Sequence, residues 1–157
     1  DLTGLVRELV GDARVVDPDR TIDVDAPAAV VVTGDEQRLR QVVANLLSNA
    51  RTHTPPATPV RVSVQMDADS AVIAVADRGP GMPAEHADRV FERFFRVDPS
   101  RARASGGSGL GLSIVAAIVA AHQGTVTVDT APGEGARFTV RLPLPPRASE
   151  LREPVSD

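Results

Sequence analysis

The sequence predicts an α/β fold, a two-layer sandwich in which three helices cover one face of a mixed, mainly antiparallel sheet of about five strands. Three segments repeat apolar residues at helical spacing over lengths typical of packed helices. Two pairs of alternating or β-branched segments are joined by short turns, as in β-hairpins. Long helices interleaved with hairpins are typical of one sheet with helices on a single side.

The predicted elements have clear boundaries. Pro18 stops the first helix, Asp35 can cap the second, and Pro55 ends it. Composition turns to Pro, Arg, Glu and Ser from residue 143, which predicts one domain over residues 1–143 and a disordered tail over 144–157. The predicted helices are 1–14, 35–54, a short one at 85–91, and 111–122; the predicted strands are 21–25, 29–33, 60–65, 71–76, 125–130 and 136–142.

Composition excludes several classes of function. The 157 residues carry a net charge of −4 and contain no run of basic residues, so no nucleic-acid partner is expected. There is no Cys, which excludes disulfides, zinc–thiolate sites and thiol catalysis. All 17 basic residues are Arg, so any cation that touches a phosphate must be Arg or a metal. No apolar run approaches the roughly 20 residues that span a bilayer, so we expect no membrane contact by this segment.

Two asparagines lie one helical turn apart in the second predicted helix. Asn45 and Asn49 share a helix face at i and i+4, whereas Leu46, Leu47 and Ala50 belong to the apolar face. An Asn carbonyl oxygen can complete the shell of a Mg²⁺ ion that phosphates already hold. The alternative is that both are ordinary polar residues on a helix surface.

Asp77 and two glycines follow a predicted buried strand. A carboxylate there can accept a hydrogen bond from an exocyclic amine such as that of adenine. Gly79 and Gly81 would let the backbone approach a flat ring. An ordinary Asp/Gly turn is the alternative interpretation.

A glycine-rich segment, GGSGLGL at residues 106–112, opens the last long helix. Backbone N–H groups at such a helix start form a cradle for anions. A dinucleotide-binding motif would need a strand directly before the glycines, but a predicted mobile loop at residues 101–107 precedes them. The common P-loop needs a Lys, which the chain lacks.

The segment FERFFR, residues 91–96, lies between the two glycine-rich regions. Its Phe side chains are expected to pack the base of the loop onto the domain, which would leave Arg96 facing a phosphate. A purely structural hydrophobic contact is the alternative for the Phe residues.

Taken in order, these four motifs resemble the N, G1, F and G2 boxes of sensor histidine kinases, and residues 133–138 resemble the final glycine turn of that family. The resemblance runs from about Leu2 to Pro143. It implies the Bergerat α/β sandwich, shared with gyrase B, mismatch-repair and chaperone ATPases, with ATP and Mg²⁺ as ligands. The binding residues that it implies are Asn45, Asn49, His53, Asp77, Gly79, Gly81, Met82, Arg96, Gly107, Ser108, Gly109, Leu110 and Gly111.

The roles that the resemblance implies are distributed along the nucleotide. Asn49 would bind Mg²⁺, and Asn45 and Arg96 would be the catalytic residues beside the triphosphate. Asp77 would accept from the adenine amine. The others would line the base and adenosine (His53, Gly79, Gly81 and Met82) or form the hinge and phosphate-facing end of an ATP lid (Gly107, Ser108, Gly109, Leu110 and Gly111).

Two positions depart from the family pattern. These kinases usually carry a basic residue three positions after the second Asn, but Thr52 stands there, so Arg51 or another Arg must provide that contact. Gln123 stands where a second glycine is common near the end of the last helix, and we expect it to be tolerated.

The activity implied is transfer of the ATP γ-phosphoryl group to a histidine, which depends on positioning, Mg²⁺ and cations. His53, His86 and His122 do not lie in the sequence context of the family's phosphoacceptor. We therefore expect the acceptor in a helical dimerisation domain N-terminal to Asp1, with a response regulator as the next recipient. The whole would be the cytoplasmic part of a membrane-anchored sensor kinase.

Three alternative functions each conflict with a feature of the sequence. A self-contained ATPase of the gyrase or chaperone kind would carry a Glu four residues before the metal-binding Asn to activate water, but Asn45 stands there. A serine kinase of the anti-sigma type fits the Phe-rich segment less well. A degenerate nucleotide-sensing module would bind without catalysis, and the presence of Asn49, Asp77 and the glycines at residues 107–111 argues against it.

Overall fold

The computed structural model describes residues 1–96 and 109–146, and within them the predicted α/β sandwich is confirmed. The strands form one sheet in the order β1-β2-β3-β5-β4, in which β1 is parallel to β2 and the other pairs are antiparallel. The elements are α1 (Leu2–Val16), β1 (Ile22–Asp25), α2 (Glu36–His53), β2 (Val60–Asp67), β3 (Ser70–Asp77), α3 (Ala84–Ala87), α4 (Gly111–Ala121), β4 (Thr125–Thr130) and β5 (Ala136–Pro143).

The alternation of side chains gives the sheet one covered face and one open face. Val62 pairs with Val75, and Val75 pairs with Phe138; all three are buried. Arg61 and Arg137, one position away on their strands, are exposed because successive side chains point to opposite faces. The long helices α1, α2 and α4 pack on the apolar face, so the core lies between that face and the helices.

Two contacts fix how α2 and α4 pack against each other. The Asn45 side-chain amide donates to the carbonyl oxygen of Gly111 at the start of α4 (Nδ2–O 3.3 Å). The N–H of Asp35, just before α2, donates to Nε2 of His122, just after α4 (3.0 Å). Asp35 also caps α2 as predicted, by accepting from the N–H of Arg38 (3.0 Å). The two helices are therefore antiparallel, and the contacts are about 15 Å apart along each axis.

The predicted strand at residues 29–33 is wrong. The N–H of Val30 donates to the hydroxyl of Thr3 (3.0 Å), and its carbonyl oxygen accepts from the N–H of Leu2 (2.9 Å). Because the start of α1 satisfies these backbone groups and Val30 is buried there, the segment runs beside α1 instead of joining the sheet.

The short helix predicted at residues 85–91 is also different, since α3 ends at Ala87. The chain then continues through turns to Phe91, whose ring packs edge-on against the core residue Phe138 with 6.2 Å between centroids. The packing predicted for Phe91 is therefore present without the helix.

The boundary predicted at residue 143 falls at the last residue of β5. Leu144 follows, and its N–H donates to the carbonyl oxygen of Asp69 in the β2–β3 turn (2.9 Å). Residues 147–157 of the predicted tail and the predicted loop at residues 101–107 lie outside the described residues. None of the helices in residues 1–96 and 109–146 is both long enough and apolar enough to cross a membrane.

Candidate functional site

The predicted binding residues come from four places in the fold. They lie in the C-terminal half of α2, in the turn after β3, at the end of the segment at residues 91–96, and at the start of α4. Gly107 and Ser108 lie outside the described residues. The structure brings the remaining residues together in two groups, one at each end of the C-terminal half of α2.

The first group joins the asparagines of α2 to the start of α4. Asn45 and Asn49 are half-buried on one helix face, and the Asn45 amide reaches Gly111. Leu110 occupies the N-cap position of α4 but has no polar side-chain atom to cap the first N–H groups. A helix start whose N-cap residue provides no acceptor, with the Asn45 amide beside it, is a suitable environment for phosphate oxygens.

A backbone contact links the Phe-rich segment to the same helix start. The N–H of Phe94 donates to the carbonyl oxygen of Gly109 (3.0 Å), and a Cβ on Gly109 would lie 3.1 Å from Cα of Phe94. Phe94 has φ +62° and is 71% exposed, so the prediction that it packs on the domain is wrong. Phe95 instead packs beneath Arg89, with 4.7 Å between the guanidinium carbon of Arg89 and the centroid of the Phe95 ring. The chain on the two sides of residues 97–108 is thus joined by a hydrogen bond.

The second group centres on Asp77, which is half-buried at the end of β3. Burial raises the pKa of its carboxyl group. The N–H groups of Gly79 and Ala136 oppose this rise, the former at 2.8 Å from Oδ1, and so do the positive charges of Arg20 and His53. A partly desolvated carboxyl group with acceptor capacity left over can bind a ligand amine.

His53 connects Asp77 with Arg96. Although His53 is exposed overall, burial of its ring by neighbouring atoms lowers the pKa of the imidazole. The negative charge of Asp77 raises this pKa, and the positive charge of Arg96 lowers it. His53 is therefore within electrostatic reach of both Asp77 and Arg96, and its lowered pKa favours the neutral imidazole at neutral pH.

Two glycines after Asp77 pack where a side chain would not fit. A Cβ on Gly79 would lie 2.6 Å from Cγ2 of Thr54. A Cβ on Gly81 would lie 2.0 Å from the carbonyl oxygen of Ala131, and Gly81 has φ +63°. The turn therefore needs glycine for close contact with both α2 and the last hairpin.

The hydroxyl of Thr130, which sequence reasoning missed, ties this turn to the last hairpin. It accepts from the N–H of Met82 (3.1 Å) and donates to the carbonyl oxygen of Gly135 (2.7 Å). Gly135 in turn packs against the end of β3, since a Cβ added to it would lie 2.0 Å from the carbonyl oxygen of Asp77. The final glycine turn thus belongs to the same structural unit as Asp77.

We expect Gly81→Ala to destabilise the domain more than Gly133→Ala. Both glycines have positive φ, but a Cβ on Gly133 would meet nothing within 4 Å. Gly133→Ala should cost about 1–2 kcal/mol from the left-handed backbone, and Gly81→Ala about 3 kcal/mol or more because the Ala131 oxygen must also move. Urea unfolding measures both. Equal losses would mean that the turn relaxes without strain.

Sequence reasoning also missed Arg20 and Thr54. Arg20 is 5% exposed, and its guanidinium donates to the hydroxyl of Thr54 (Nη1–Oγ1 2.6 Å). The sequence identifies Thr54 only as the end of a helix that two prolines follow. No local pattern reveals its role, because apart from Asp17 its side-chain partners lie more than 30 positions away.

Arg51, the first substitute considered for the missing basic residue, lies on a different side of α2. It lines a cavity of about 200 Å³ between α1 and α2, whereas Asn45 contacts Gly111 at the start of α4 and Asn49 lies one turn further along the same helix face. Arg96 is the arginine whose charge acts on His53. Arg51 therefore does not share the helix face of the two asparagines, and a phosphate contact by Arg96 stays a prediction.

These features define a class of protein, an α/β sandwich with a nucleotide-binding type of site at one end of its helices. The family model described as histidine kinase-, DNA gyrase B-, and HSP90-like ATPase matches residues 34–146. The chain belongs to this family and corresponds to the ATP-binding catalytic domain of sensor histidine kinases of two-component systems. The predicted family is thereby confirmed.

Three similar proteins support this assignment. The probable sensor histidine kinase TcrY of Mycobacterium tuberculosis is 49% identical over 145 residues, which are 92% of this chain and 30% of TcrY. The structure of the mycobacterial sensor histidine kinase MprB superposes with a TM-score of 0.80 at 34% identity, covering 94% of this chain and 97% of that one. Full-length ShkA in complex with AMPPNP has a TM-score of 0.77 at 32% identity, covering 97% of this chain and 32% of ShkA. The chain thus spans about a third of the curated relatives that it matches.

Proposed function

We propose that this domain binds ATP with Mg²⁺ and transfers the γ-phosphoryl group to a histidine in a dimerisation domain N-terminal to Asp1. A response regulator would then receive the phosphoryl group, and the whole would be the cytoplasmic part of a membrane-anchored sensor. The names of TcrY and MprB as sensor histidine kinases and the AMPPNP complex of ShkA support the proposal.

The observation that carries the proposal is the packing of α2 against α4. It sets Asn45 against Gly111 at one end of a helix segment, and the other end carries His53, whose pKa the Asp77 charge affects. The eight residue steps from Asn45 to His53 span about 12 Å along the helix axis. An extended nucleotide could thus lie along this segment, with its base at Asp77 and its phosphates at the start of α4.

The donor set supports a Mg²⁺ ion that is held mainly by the nucleotide. Residues 1–96 and 109–146 contain no group of three or more acidic, His or Cys side chains placed to hold a metal. Asn49 supplies one neutral amide oxygen, and Mg²⁺ commonly takes one or two protein ligands together with phosphates and water. Bound there, the ion would neutralise charge on the β- and γ-phosphates.

The side chains of the chain would position the nucleotide. Asp77 would accept from the adenine amine, with the neutral imidazole of His53 beside the adenosine. Arg96, whose charge reaches His53, would extend from there towards the phosphates, to which Asn45 and the N–H groups at the start of α4 would donate. Gly79, Gly81 and Met82 would line the base, and Gly107, Ser108, Gly109, Leu110 and Gly111 would form the lid hinge.

Two of the three histidines have structural surroundings that support an acceptor elsewhere. Nε2 of His122 accepts from the N–H of Asp35, and its Nδ1 lies 2.8 Å from a carbonyl oxygen of α4. His86 packs edge-on against Phe95 with 5.8 Å between centroids. His53 belongs to the proposed adenosine end, away from the γ-phosphate.

Labelling with γ-³²P-ATP tests the proposal. The longer protein that contains this domain should acquire an acid-labile, base-stable label, as phosphohistidine does, and the 157-residue chain alone should bind ATP without being labelled. A label on the isolated chain would place the acceptor within it. An acid-stable label on the longer protein would contradict histidine as the acceptor.

Turnover by the isolated chain distinguishes the ATPase alternative. Asn45 stands where the related ATPases carry a water-activating Glu, and its amide is engaged with Gly111. An amide is a poor general base, so hydrolysis should be far slower than the enzyme median of about 10 per second. Turnover near that value would favour a self-contained ATPase.

A further inference from the structure

Arg20 belongs to none of the sequence motifs, yet it is among the most buried polar residues of the described chain, at 5% exposure. Asp17 balances its charge, with Nε 2.7 Å from Oδ2. Burying a guanidinium is unfavourable unless the group is ion-paired and hydrogen-bonded. Its remaining partners therefore indicate what the buried cation stabilises.

Those partners all lie at the end of α2 and in the turn that follows. The Thr54 hydroxyl accepts at 2.6 Å, and the carbonyl oxygens of Thr58, Pro55 and Arg51 accept at 3.0, 3.3 and 3.5 Å. The last carbonyl groups of a helix lack intrahelical donors, and a cation there interacts favourably with the helix dipole. Arg20 therefore fixes both the end of α2 and the path of the turn.

This turn borders the base-binding end of the proposed site. Gly79 approaches the Thr54 methyl so closely that a Cβ on it would lie 2.6 Å from Cγ2. The N–H of Gly79 donates to Oδ1 of Asp77 (2.8 Å), and His53 directly precedes Thr54. A continuous set of contacts thus runs from Arg20 through Thr54 and Gly79 to the carboxylate.

We propose that Arg20, acting through Thr54, is a positioning residue that holds Asp77 in place and thereby sets selectivity for the 6-amino group of adenine. The inference rests on the proposed function. Without Arg20, the turn loses its side-chain anchors, and Gly79 is free to shift together with the carboxylate. Because hydrogen bonding depends steeply on distance and angle, selectivity for the amine should fall more than the affinity for the phosphates.

The test compares ATP with purine riboside triphosphate, which lacks the amine, by calorimetric titration of the 157-residue chain with Mg²⁺. The variants are Arg20→Met and Thr54→Val; the second keeps the Arg20–Asp17 pair intact and serves if the first does not fold. The matched control is Arg40→Met, which removes an exposed Arg–Glu8 pair between α1 and α2. Thermal unfolding identifies a temperature at which each protein is folded.

Wild type and Arg40→Met should prefer ATP by about tenfold or more, as one hydrogen bond to a charged acceptor permits. Arg20→Met and Thr54→Val should reduce that preference to about threefold or less while affinity for the analogue changes little. Equal losses for both nucleotides in the folded variants would overturn the inference, since a purely stabilising role leaves the ratio unchanged. An unchanged preference, or a wild type with none, would also overturn it. Failure of the wild type to bind either nucleotide would contradict the proposed function itself.

Discussion

Asp77→Asn is expected to reduce the affinity for ATP by about 10- to 100-fold, which corresponds to loss of a hydrogen bond to a charged acceptor. The carboxylate lies at the end of β3, half-buried, with its Oδ1 engaged by Gly79. An amide keeps the shape of the side chain but removes its charge and half of its acceptor capacity. Calorimetric titration with an ATP analogue and Mg²⁺ measures the loss.

The same substitution has a defined effect on the pH dependence of stability. Burial raises the pKa of Asp77, so the folded domain binds this proton more tightly than the unfolded chain does. The stabilisation that comes from this tighter proton binding is therefore fully present below the ordinary Asp pKa of about 3.9. It is lost as the pH rises through the raised pKa of Asp77 in the folded domain. As the pH rises across this range, urea unfolding should show the wild type losing stability relative to Asp77→Asn.

Asp129→Asn is the matched control for both measurements. It makes the same change of charge at an exposed position on β4, opposite Arg137 on β5. ATP affinity should be unaffected there. Wild-type affinity in Asp77→Asn would show that this carboxylate does not bind the amine, and the assignment of the base-binding end would have to be abandoned.

Local chemistry is what made part of this molecule predictable. The positions of Asn45 and Asn49 on one face follow from helical periodicity, and the cap at Asp35 follows from its side chain. The inner face of the sheet follows from the alternation of valines in β2. In each case the residues that determine the structure are close together in sequence.

Contacts between distant parts of the chain explain the errors and omissions. The β-branched run at residues 29–33 has a strand-like sequence, but the start of α1 provides its backbone partners. Phe94 is apolar, yet its backbone bond to Gly109 leaves the ring exposed. Arg20 pairs locally with Asp17, but its partners at the end of α2 lie 31–38 positions away, and that separation leaves no local signal of its role.

Asn49→Ala should remove most of the contribution of Mg²⁺ to nucleotide affinity. Asn49 offers the amide oxygen that would complete a shell built on the phosphates, and the described residues provide no acidic or His cluster to replace it. The loss should be at least the roughly 10- to 100-fold that follows removal of a residue that only orients a metal ligand. Titration with ATP analogue in Mg²⁺ and again in EDTA separates this loss from a general weakening of binding.

Ser48→Ala provides the comparison, because Ser48 is the exposed neighbour of Asn49 and lines the cavity between α1 and α2. Ser48→Ala should bind the nucleotide as tightly as wild type in both buffers. Asn49→Ala should match the wild-type affinity in EDTA but not in Mg²⁺. Equal weakening of Asn49→Ala with and without Mg²⁺ would identify Asn49 as a direct donor to the nucleotide. The metal would then have to be held without this amide, and the helix face of Asn45 and Asn49 would act on the phosphates through hydrogen bonds alone.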